Sequence, residues 1–210
     1  MYVGRIVAVG RNKAGANAVM YRVSSRSFPN RQAVNNNGTL AIVPRPGAEG
    51  DLNKNPYIGY NALRLAGEWA VATNGSHTDP IAEKIAGGVP VREALVNTLM
   101  AMDYEKDDLN TPRIAAAVPR QGDFGWLAIV RHDAFVVKQV PLQVGRAQYV
   151  ATYEADDVRD TQVSEFDAPD ATASAAFVIS GGVFAELEKP VTSAAALADG
   201  ASFGLGIVIV

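Results

Sequence analysis

The chain of 210 residues contains no cysteine and only two histidines. Without cysteine the protein can form no disulfide, thiolate metal site or iron–sulfur cluster, and it has no cysteine nucleophile. The two histidines, His77 and His132, stand alone and do not make a metal site. We therefore expect no bound metal ion.

Long apolar runs and long basic runs are absent as well. No window approaches the roughly eighteen apolar residues of a membrane-spanning helix. Arg5 interrupts the only apolar stretch near the N-terminus, so no signal peptide is predicted. The formal net charge of −3 argues against binding to nucleic acid or to an anionic membrane, which would require a basic face. We expect a cytoplasmic protein with neither kind of partner.

One segment concentrates positive charge against this acidic background. Residues 21–31 contain three arginines, three serines and an asparagine. Arginines offer forked donors to an anion, and serine hydroxyls add more, which predicts a site for a phosphate or a carboxylate. The alternative is a polar surface turn whose arginines are solvated. The candidate anion ligands are Arg22, Ser24, Arg26, Asn30 and Arg31.

Turn signals and hydrophobic periodicity divide the chain into strands and helices. Helices are predicted at 79–86 and from Pro90 onward, and the alanine-rich region 170–199 is predicted to form two more, divided near Gly181. In the helix from Pro90, the apolar positions Val91, Leu95, Leu99 and Met102 recur at helical spacing and are predicted to be core. Helices segregated from antiparallel hairpins indicate an α+β fold, with two stacked sheets flanked by helices in one domain spanning 1–210. A turn is predicted at 35–38, a loop at 45–56, and strands at 2–10, 17–24, 39–44, 60–65, 69–73, 113–118, 125–130, 135–140, 148–153 and 203–210.

Four carboxylates gather where the helix beginning at Pro90 is expected to end, at Asp103, Glu105, Asp107 and Asp108. Negative charge at a helix C-terminus opposes the macrodipole and costs about 0.3–1 kcal/mol per residue, so the cluster suggests a function. Glu105 should lie beside the apolar stripe of this helix, where partial desolvation raises its pKa and makes it a better base. For Asp107 and Asp108 a solvated helix end is the simpler interpretation.

A junction between a strand and a helix at residues 74–79 offers backbone N–H groups and hydroxyls that can hold an anion. Ser76, His77 and Asp79 invite comparison with a hydrolase triad, but triad members meet in space rather than in sequence. Turn and N-cap chemistry is the simpler account, above all for Asp79.

Two tyrosines and an amide bracket the strand predicted at 60–65. Tyr57, Tyr60 and Asn61 suit stacking on a heterocycle and recognition of its edge. The competing interpretation is packing, which is the more common role of tyrosines in strands.

Four blocks of unusual sequence follow one another: SSRSFPNR at 24–31, NPYIGYNALR at 55–64, ATNGSHTDPIAEKIA at 72–86 and AMDYEKDDLNTPRIAAAV at 101–118. In these blocks, and along essentially the whole chain, the sequence resembles the archaeal-type IMP cyclohydrolases. The resemblance implies the four-layer αββα fold of N-terminal nucleophile hydrolases. A hydrolase of that fold uses Cys, Ser or Thr at position 2. Tyr2 stands there instead, which agrees with a cyclohydrolase that has reused the fold.

The resemblance implies closure of 5-formamidoimidazole-4-carboxamide ribonucleotide (FAICAR) to IMP with loss of water, the last step of de novo purine biosynthesis. Both reacting groups sit on one ring, so one base and one cation suffice, without a metal or organic cofactor. On this basis Glu105 is the predicted base and Arg31 the cation that polarises the amide or stabilises the oxyanion. Phosphate and ribose contacts are assigned to Arg22, Ser24, Arg26 and Asn30, and contacts around the base to Tyr57, Tyr60, Asn61, Asn74, Ser76 and His77.

Two other functions stay open at the level of sequence. One is a purine nucleotide-binding protein without catalysis, which keeps the arginine pocket. The other is an amidohydrolase of the same fold that uses Ser76 or Thr78. The oligomeric state is not encoded in any pattern of the sequence, and a homo-oligomer stays open.

Overall fold

The computed structural model describes residues 1–210. Four helices are present, α1 Asp51–Lys54, α2 Thr78–Ala86, α3 Val91–Met102 and α4 Ala171–Ser180. None of them is long and apolar enough to cross a membrane. The strands are β1 Arg5–Arg11, β2 Asn17–Ser24, β3 Arg31–Asn36, β4 Thr39–Pro44, β5 Tyr60–Ala66, β6 Trp69–Thr73, β7 Arg113–Pro119, β8 Phe124–Val130, β9 Phe135–Pro141, β10 Arg146–Ala151, β11 Val163–Glu165, β12 Pro190–Asp199 and β13 Ser202–Ile209.

The strands form two large antiparallel sheets. The six-stranded sheet has the order β11-β10-β1-β2-β12-β13, and the seven-stranded sheet has the order β3-β4-β5-β6-β7-β8-β9. The seven-stranded sheet is a meander in which each strand pairs with the next along the chain. The six-stranded sheet combines strands from both ends of the sequence, because β1 pairs with β10 and β2 pairs with β12.

Three apolar cores set the layers of the molecule. The largest lies between the sheets, where Val7 and Tyr21 of one sheet meet Ile42 and Ile114 of the other. A second core packs α4 on the outer face of the six-stranded sheet, and a third packs α2 and α3 on the outer face of the seven-stranded sheet. Because both faces of the inner strands are covered, all eight residues of β2 are buried. The expected α+β class with two stacked antiparallel sheets is thus confirmed.

A tight turn at Asn37 and Gly38 connects β3 and β4. Asn37 and Gly38 both have positive φ angles, of 50° and 86°, as the tight turn that suits the twist of two antiparallel strands requires. The predicted turn at this place is therefore confirmed, but the strand before it, β3, was not predicted. Its sequence RQAVNN carries too little apolar alternation to be recognised.

The prediction of a second helix in the alanine-rich region is wrong. After α4 the chain makes a short 3-10 turn at Gly182–Glu186, and residues 190–199 then form β12. This strand is enclosed by β2 and β13 at its edges and by α4 and the seven-stranded sheet on its faces. Small side chains let these layers approach closely, so tertiary packing overrides the helix propensity of alanine.

Smaller differences concern the ends of elements. The first strand begins at Arg5 rather than Tyr2, and the predicted loop 45–56 contains the single-turn helix α1. Helix α2 begins one residue before Asp79, which makes no N-cap bond and instead pairs with Arg64 at 2.9 Å.

Candidate active site

A cleft opens between the two sheets at one end of the molecule. It collects residues from the start of β1, from the loops that follow β2 and β10, from β3 and from the segments before β5 and β7. Its enclosed part is small, about 70 Å³, and about 470 Å³ is open when the space at its mouth is counted. The lining residues are Tyr2, Arg5, Ser25, Ser27, Phe28, Arg31, Asn55, Tyr57, Ile58, Glu105, Asp107, Leu109, Thr111 and Tyr153.

A larger cavity of about 950 Å³, counted in the same way, lies near the opposite end of β1. Its only carboxylate is Asp160, whose side chain is 84% exposed and pairs with Lys138 at 2.8 Å. The hydrogen bond from Lys138 lowers the pKa of Asp160, so this carboxylate stays ionised at neutral pH. The cleft that contains Glu105 therefore holds the groups suited to acid–base chemistry.

Glu105 is the most deeply buried carboxylate of the cleft. Its side chain is 1% exposed, and its two oxygens lie 3.5 Å from Arg113 Nη1 and 3.6 Å from Arg5 Nη2. Burial raises the pKa of Glu105 to about 7, although the charges of Arg5 and Arg113 oppose the rise. A carboxyl group with this pKa can take up and return a proton at neutral pH.

The expectation that Glu105 belongs to the helix before it is wrong. Helix α3 ends at Met102, and Asp103 then adopts a positive φ angle of 54° that turns the chain out of the helix. Glu105 lies in the loop that follows, with its backbone N–H bonded to the carbonyl of Thr111 at 2.8 Å. The raised pKa was predicted in the right direction, and its main cause is burial between the sheets.

The loop that carries Glu105 is braced by Asp107. The carboxylate of Asp107 accepts hydrogen bonds from the backbone N–H and the hydroxyl of Thr111, at 2.8 and 2.7 Å. Because the Thr111 hydroxyl donates to Asp107, the Tyr153 hydroxyl donates to Thr111, at 2.8 Å. Tyr153 in turn stacks on Tyr2 with ring centroids 6.0 Å apart. Asp107 is therefore a structural partner of the loop as well as a lining residue.

Arg31 faces the cleft from the first position of β3. Its side chain is nearly fully buried, and burial lowers its pKa. Only Nε is bound within the protein, to the carbonyl of Phe28 at 3.1 Å. The two terminal nitrogens of the guanidinium keep their donors for a ligand, which is the arrangement that recognition of an oxyanion requires.

Tyr57 is the other predicted residue that lines the cleft. Its ring is partly exposed, and the guanidinium of Arg113 lies 5.8 Å from the ring centroid. Ser25, which also lines the cleft, accepts a hydrogen bond from the N–H of Phe28 at 3.0 Å, which leaves its own hydroxyl hydrogen free to donate.

Arg22 does not reach the cleft, contrary to the prediction. In β2 alternate side chains face opposite sides, so Tyr21 points to the core between the sheets and Arg22 points to α4. Its Nε donates to Ser24 Oγ at 2.8 Å, which also places Ser24 outside the cleft. The terminal nitrogens donate to the carbonyls of Val178, Ile179, Phe184, Leu187 and Glu188.

Three further predicted residues lie at the surface, and none of them lines the cleft. Arg26 is exposed and pairs with Glu188 at 2.7 Å. Asn30 is exposed, and its carbonyl accepts a hydrogen bond from the N–H of Arg45. Ser76 is exposed in the loop before α2.

The remaining predicted residues are engaged in the frame around the cleft. Tyr60 shares a short hydroxyl–hydroxyl hydrogen bond with Tyr21. Asn61 donates to Asp79 at 3.0 Å. Asn74 and His77 are buried and bond to the backbone at the start of β7. These residues support the site without lining it.

Sequence reasoning missed most of the lining, including Arg5, Thr111 and Tyr153. Arg5 and Glu105 are a hundred positions apart in the chain, and no local pattern links them. The one available signal was the charge of Arg5 at the start of an otherwise apolar strand, since a charged residue at a buried strand end needs a partner.

The fold and the cleft together define an α+β protein that holds a buried carboxyl group among arginines between two antiparallel sheets. The sequence profile of the family described as "IMP cyclohydrolase-like protein" matches residues 2–202. The chain therefore belongs to this family.

Relatives confirm the family over nearly the full length. The chain is 47% identical to the IMP cyclohydrolase of Methanosphaera stadtmanae over 196 residues, which cover 93% of this chain and 94% of that protein. It is 46% identical to the IMP cyclohydrolase of Methanococcus maripaludis, covering 94% and 95% of the two chains. The IMP cyclohydrolase of Natronomonas pharaonis is 45% identical, with 98% and 97% covered.

Proposed function

We propose that this protein is an IMP cyclohydrolase, which closes FAICAR to IMP with loss of water in the last step of de novo purine biosynthesis. The observation that carries the proposal is the buried Glu105 carboxyl group, held between two arginines and sharing its cleft with Arg31, whose terminal nitrogens have no partner in the protein. Family membership and the names of the relatives point to the same reaction.

Glu105 is proposed to act first as a base. The carboxamide nitrogen of the substrate is a weak nucleophile and must lose a proton as it attacks the formyl carbon. Glu105 takes this proton while the new C–N bond closes the six-membered ring. Because its pKa is about 7, a large fraction is ionised at neutral pH, and a carboxylate base of this kind contributes about 10²–10⁴-fold.

Arg31 is proposed to stabilise the oxygen of the formyl group. This oxygen gains negative charge as the C–N bond forms, and a fixed donor placed there contributes on the order of 10²–10³-fold. Protonated Glu105 then returns its proton to this oxygen and makes it a hydroxyl group. The hydroxyl group leaves as water when it takes, as its second proton, the hydrogen of the former formamide nitrogen. Loss of the hydrogen on the former formamide nitrogen completes the C=N bond of the purine, and atoms and protons balance to IMP plus one water.

The cleft also offers groups for the rest of the nucleotide. We propose that Tyr57 stacks on the heterocycle and that Ser25 and Ser27, with the N–H groups of their loop, bind the phosphate. Arg26 stands outside the lining, and its charge is paired with that of Glu188. A purine ribonucleotide is thus the proposed partner.

The architecture supports two further proposals. Two stacked antiparallel sheets between helical layers are the arrangement expected of the N-terminal nucleophile hydrolase fold, with Tyr2 in place of a nucleophile. The cleft draws residues from both sheets, which supports the proposal that residues 1–210 form one domain. We place the protein in the cytoplasm, where purine synthesis takes place.

The proposal is tested by following purified protein with FAICAR by ultraviolet absorbance. Wild-type protein should form IMP, and Glu105→Gln should lower kcat by about 10²-fold or more, because the amide cannot accept the proton. Binding of IMP to the variant should change little, since the carboxylate acts mainly in the transition state. Near-normal turnover of a folded Glu105→Gln protein would exclude this base.

A further inference from the structure

The loop between β6 and α2 forms hydrogen bonds to the backbone on both sides of Arg113, at the start of β7. The Asn74 side chain accepts a hydrogen bond from the N–H of Ile114 at 2.8 Å and donates to the carbonyl of Pro112 at 2.9 Å. The ring of His77 donates from Nε2 to the carbonyl of Ile114 at 3.0 Å. Three hydrogen bonds thus fix the residues immediately before and after Arg113.

His77 is neutral in this position. It is fully buried, and burial lowers its pKa to about 3, with the charge of Arg113 adding to the effect. Because Nε2 carries the hydrogen that bonds to the carbonyl, Nδ1 is an unprotonated acceptor, and no group of the protein donates to it. The frame around Arg113 therefore adds no positive charge to the cleft.

Gly75 lies in the same loop, between Asn74 and His77, and close to the charged side chains of Arg113 and Glu105. A Cβ atom at this position would stand 3.0 Å from Arg113 Nη1, 3.2 Å from His77 Nδ1 and 3.4 Å from Glu105 Oε1. The first two distances are shorter than a comfortable van der Waals contact. Gly75 has no positive φ angle, so the backbone itself does not require glycine, and the requirement comes from the close approach of these three side chains.

The side chain of Arg113 is almost completely buried. It is 7% exposed, Nη1 lies 3.5 Å from the Glu105 carboxylate, and Nε has no hydrogen-bond partner. An unpaired buried donor is costly, and a contact at 3.5 Å is a loose bond. An arginine whose only task was to stabilise the fold would be expected to satisfy its donors, as Arg22 does.

We propose that Arg113 is a positioning residue for Glu105, held in place by Asn74 and His77 over the open space at Gly75. This inference rests on the proposed function, in which Glu105 transfers the proton. Arg113 holds one carboxylate oxygen while Arg5 holds the other, so that the carboxylate keeps one orientation without a tight hydrogen bond that would weaken it as a base.

The charges that face Glu105 determine the expected pH dependence. Arg113 from β7, Arg5 from β1 and Arg31 from β3 lower its pKa, and Asp107 from its own loop raises it. Removal of the Arg113 charge leaves two cations and one anion, so the pKa of Glu105 should rise further. The base is active when ionised, and the acidic limb of the kcat profile should therefore move to higher pH.

The test compares Arg113→Met with Arg113→Lys in the intact chain, measuring kcat and KM for FAICAR between pH 5 and 9. Arg113→Met should lower kcat at pH 7 by about tenfold, as misplacement of a base does, and it should shift the acidic limb upward with KM little changed. Arg113→Lys keeps the charge and should restore the position of the limb. If Arg113 had only a structural role, Arg113→Met would leave the acidic limb of the kcat profile in place, and Arg113→Lys would have no shift to restore.

Gly75→Ala provides a second variant that keeps every charge and covers the case in which Arg113→Met fails to fold. Its methyl group should displace Arg113 or Glu105 and lower kcat severalfold with little change in KM. Gly50→Ala is the matched control, because Gly50 has a φ of −61° and a Cβ there would meet nothing within 4 Å.

Two outcomes would overturn the inference without touching the proposed function. One is unchanged kcat and an unchanged limb in folded Arg113→Met and Gly75→Ala proteins, while Glu105→Gln is inactive. The other is a rise in KM alone, which would make Arg113 a substrate ligand instead. Full turnover of Glu105→Gln, by contrast, would remove both the proposed function and this inference.

Discussion

Arg22 and Arg31 come from the same basic segment and are both almost completely buried, yet they lie in opposite parts of the molecule. Arg22 lies on the outer face of the six-stranded sheet, where five carbonyls around the end of α4 and one hydroxyl surround its guanidinium. Arg31 lies in the cleft between the sheets and bonds to one carbonyl. The number of donors left free, rather than burial, separates a structural arginine from one that can bind a ligand.

The two arginines also differ in what their environment does to them. Burial lowers the pKa of Arg22 to about 10, and no carboxylate compensates. Its hydrogen bonds to Val178 and Ile179 satisfy the last carbonyls of α4, where the helix dipole favours a cation. On the outer face, the charge of Arg22 therefore stabilises the end of α4. In the cleft, the charge of Arg31 stays available for a ligand.

The largest effect is expected on the outer face. Arg22→Met should lower the free energy of unfolding by about 3 kcal/mol or more, because several buried carbonyls lose their donors. The kcat of the folded fraction should stay unchanged. Arg26→Met is the control, since this exposed pair with Glu188 should contribute about 0–1 kcal/mol. Denaturant titration checks both, and a fully stable but inactive Arg22→Met protein would contradict the comparison.

In the cleft the sign of the effect on stability should reverse. The folded pKa of Glu105 is about 7 against an ordinary value of 4.5, so the folded state binds the proton more tightly and ionisation costs stability as pH rises between these values. At about 1.4 kcal/mol per pH unit, Glu105→Gln should gain up to ~3 kcal/mol relative to wild type between pH 4.5 and 7. Unfolding free energies of both proteins across this range test it; parallel curves would refute it.

The next effect in size is expected in ligand binding, which should distinguish the cleft from the outer face that holds Arg22. The cleft should prefer IMP over inosine by about tenfold or more, because a phosphate gains charge-assisted hydrogen bonds from the cleft. Calorimetry with the wild-type protein measures the difference, and equal affinities would remove the phosphate site from the cleft. Under the competing view, in which Arg22 binds phosphate, folded Arg22→Met protein would lose the preference.

The smallest effect is expected from Arg31→Lys. Lysine keeps the charge but loses the planar fork, so kcat should fall partially, to a value between those of wild type and Glu105→Gln. KM should change less than kcat, because the interaction belongs to the transition state. A rise in KM with kcat unchanged would instead assign Arg31 to the phosphate.

The sequence revealed the class of the fold because turn residues and alternation report local structure. The hairpin at Asn37 and Gly38 is an example, as is the amphipathic stripe of α3, in which Val91, Leu95 and Leu99 are buried as predicted and Met102 is half-buried. Strand β12 could not be predicted, because its alanines form a strand only through the layers packed around them.

The site was predictable only in part, for reasons of geometry. The direction of the pKa shift of Glu105 was predicted from an expected place beside the apolar stripe of α3, whereas the structure buries Glu105 in the loop beyond that helix. The separation of Arg22 from Arg31 depended on which face of β2 meets the other sheet, and alternation tells that Tyr21 and Arg22 face opposite sides without telling which side is the cleft. Arg5 reaches Glu105 only through the stacking of the two sheets.

The mixed origin of the six-stranded sheet has a consequence for how the chain folds. Ile6 pairs with Ala151 and Val23 pairs with Thr192. The central strands of this sheet can therefore pair only after distant parts of the chain have come together. Loop closure over such distances opposes folding until the contacts form, which slows proteins of high contact order. Arg5 comes from this sheet, while Glu105 precedes a strand of the local meander. We therefore expect the cleft to form late in folding, when the six-stranded sheet docks on the seven-stranded one.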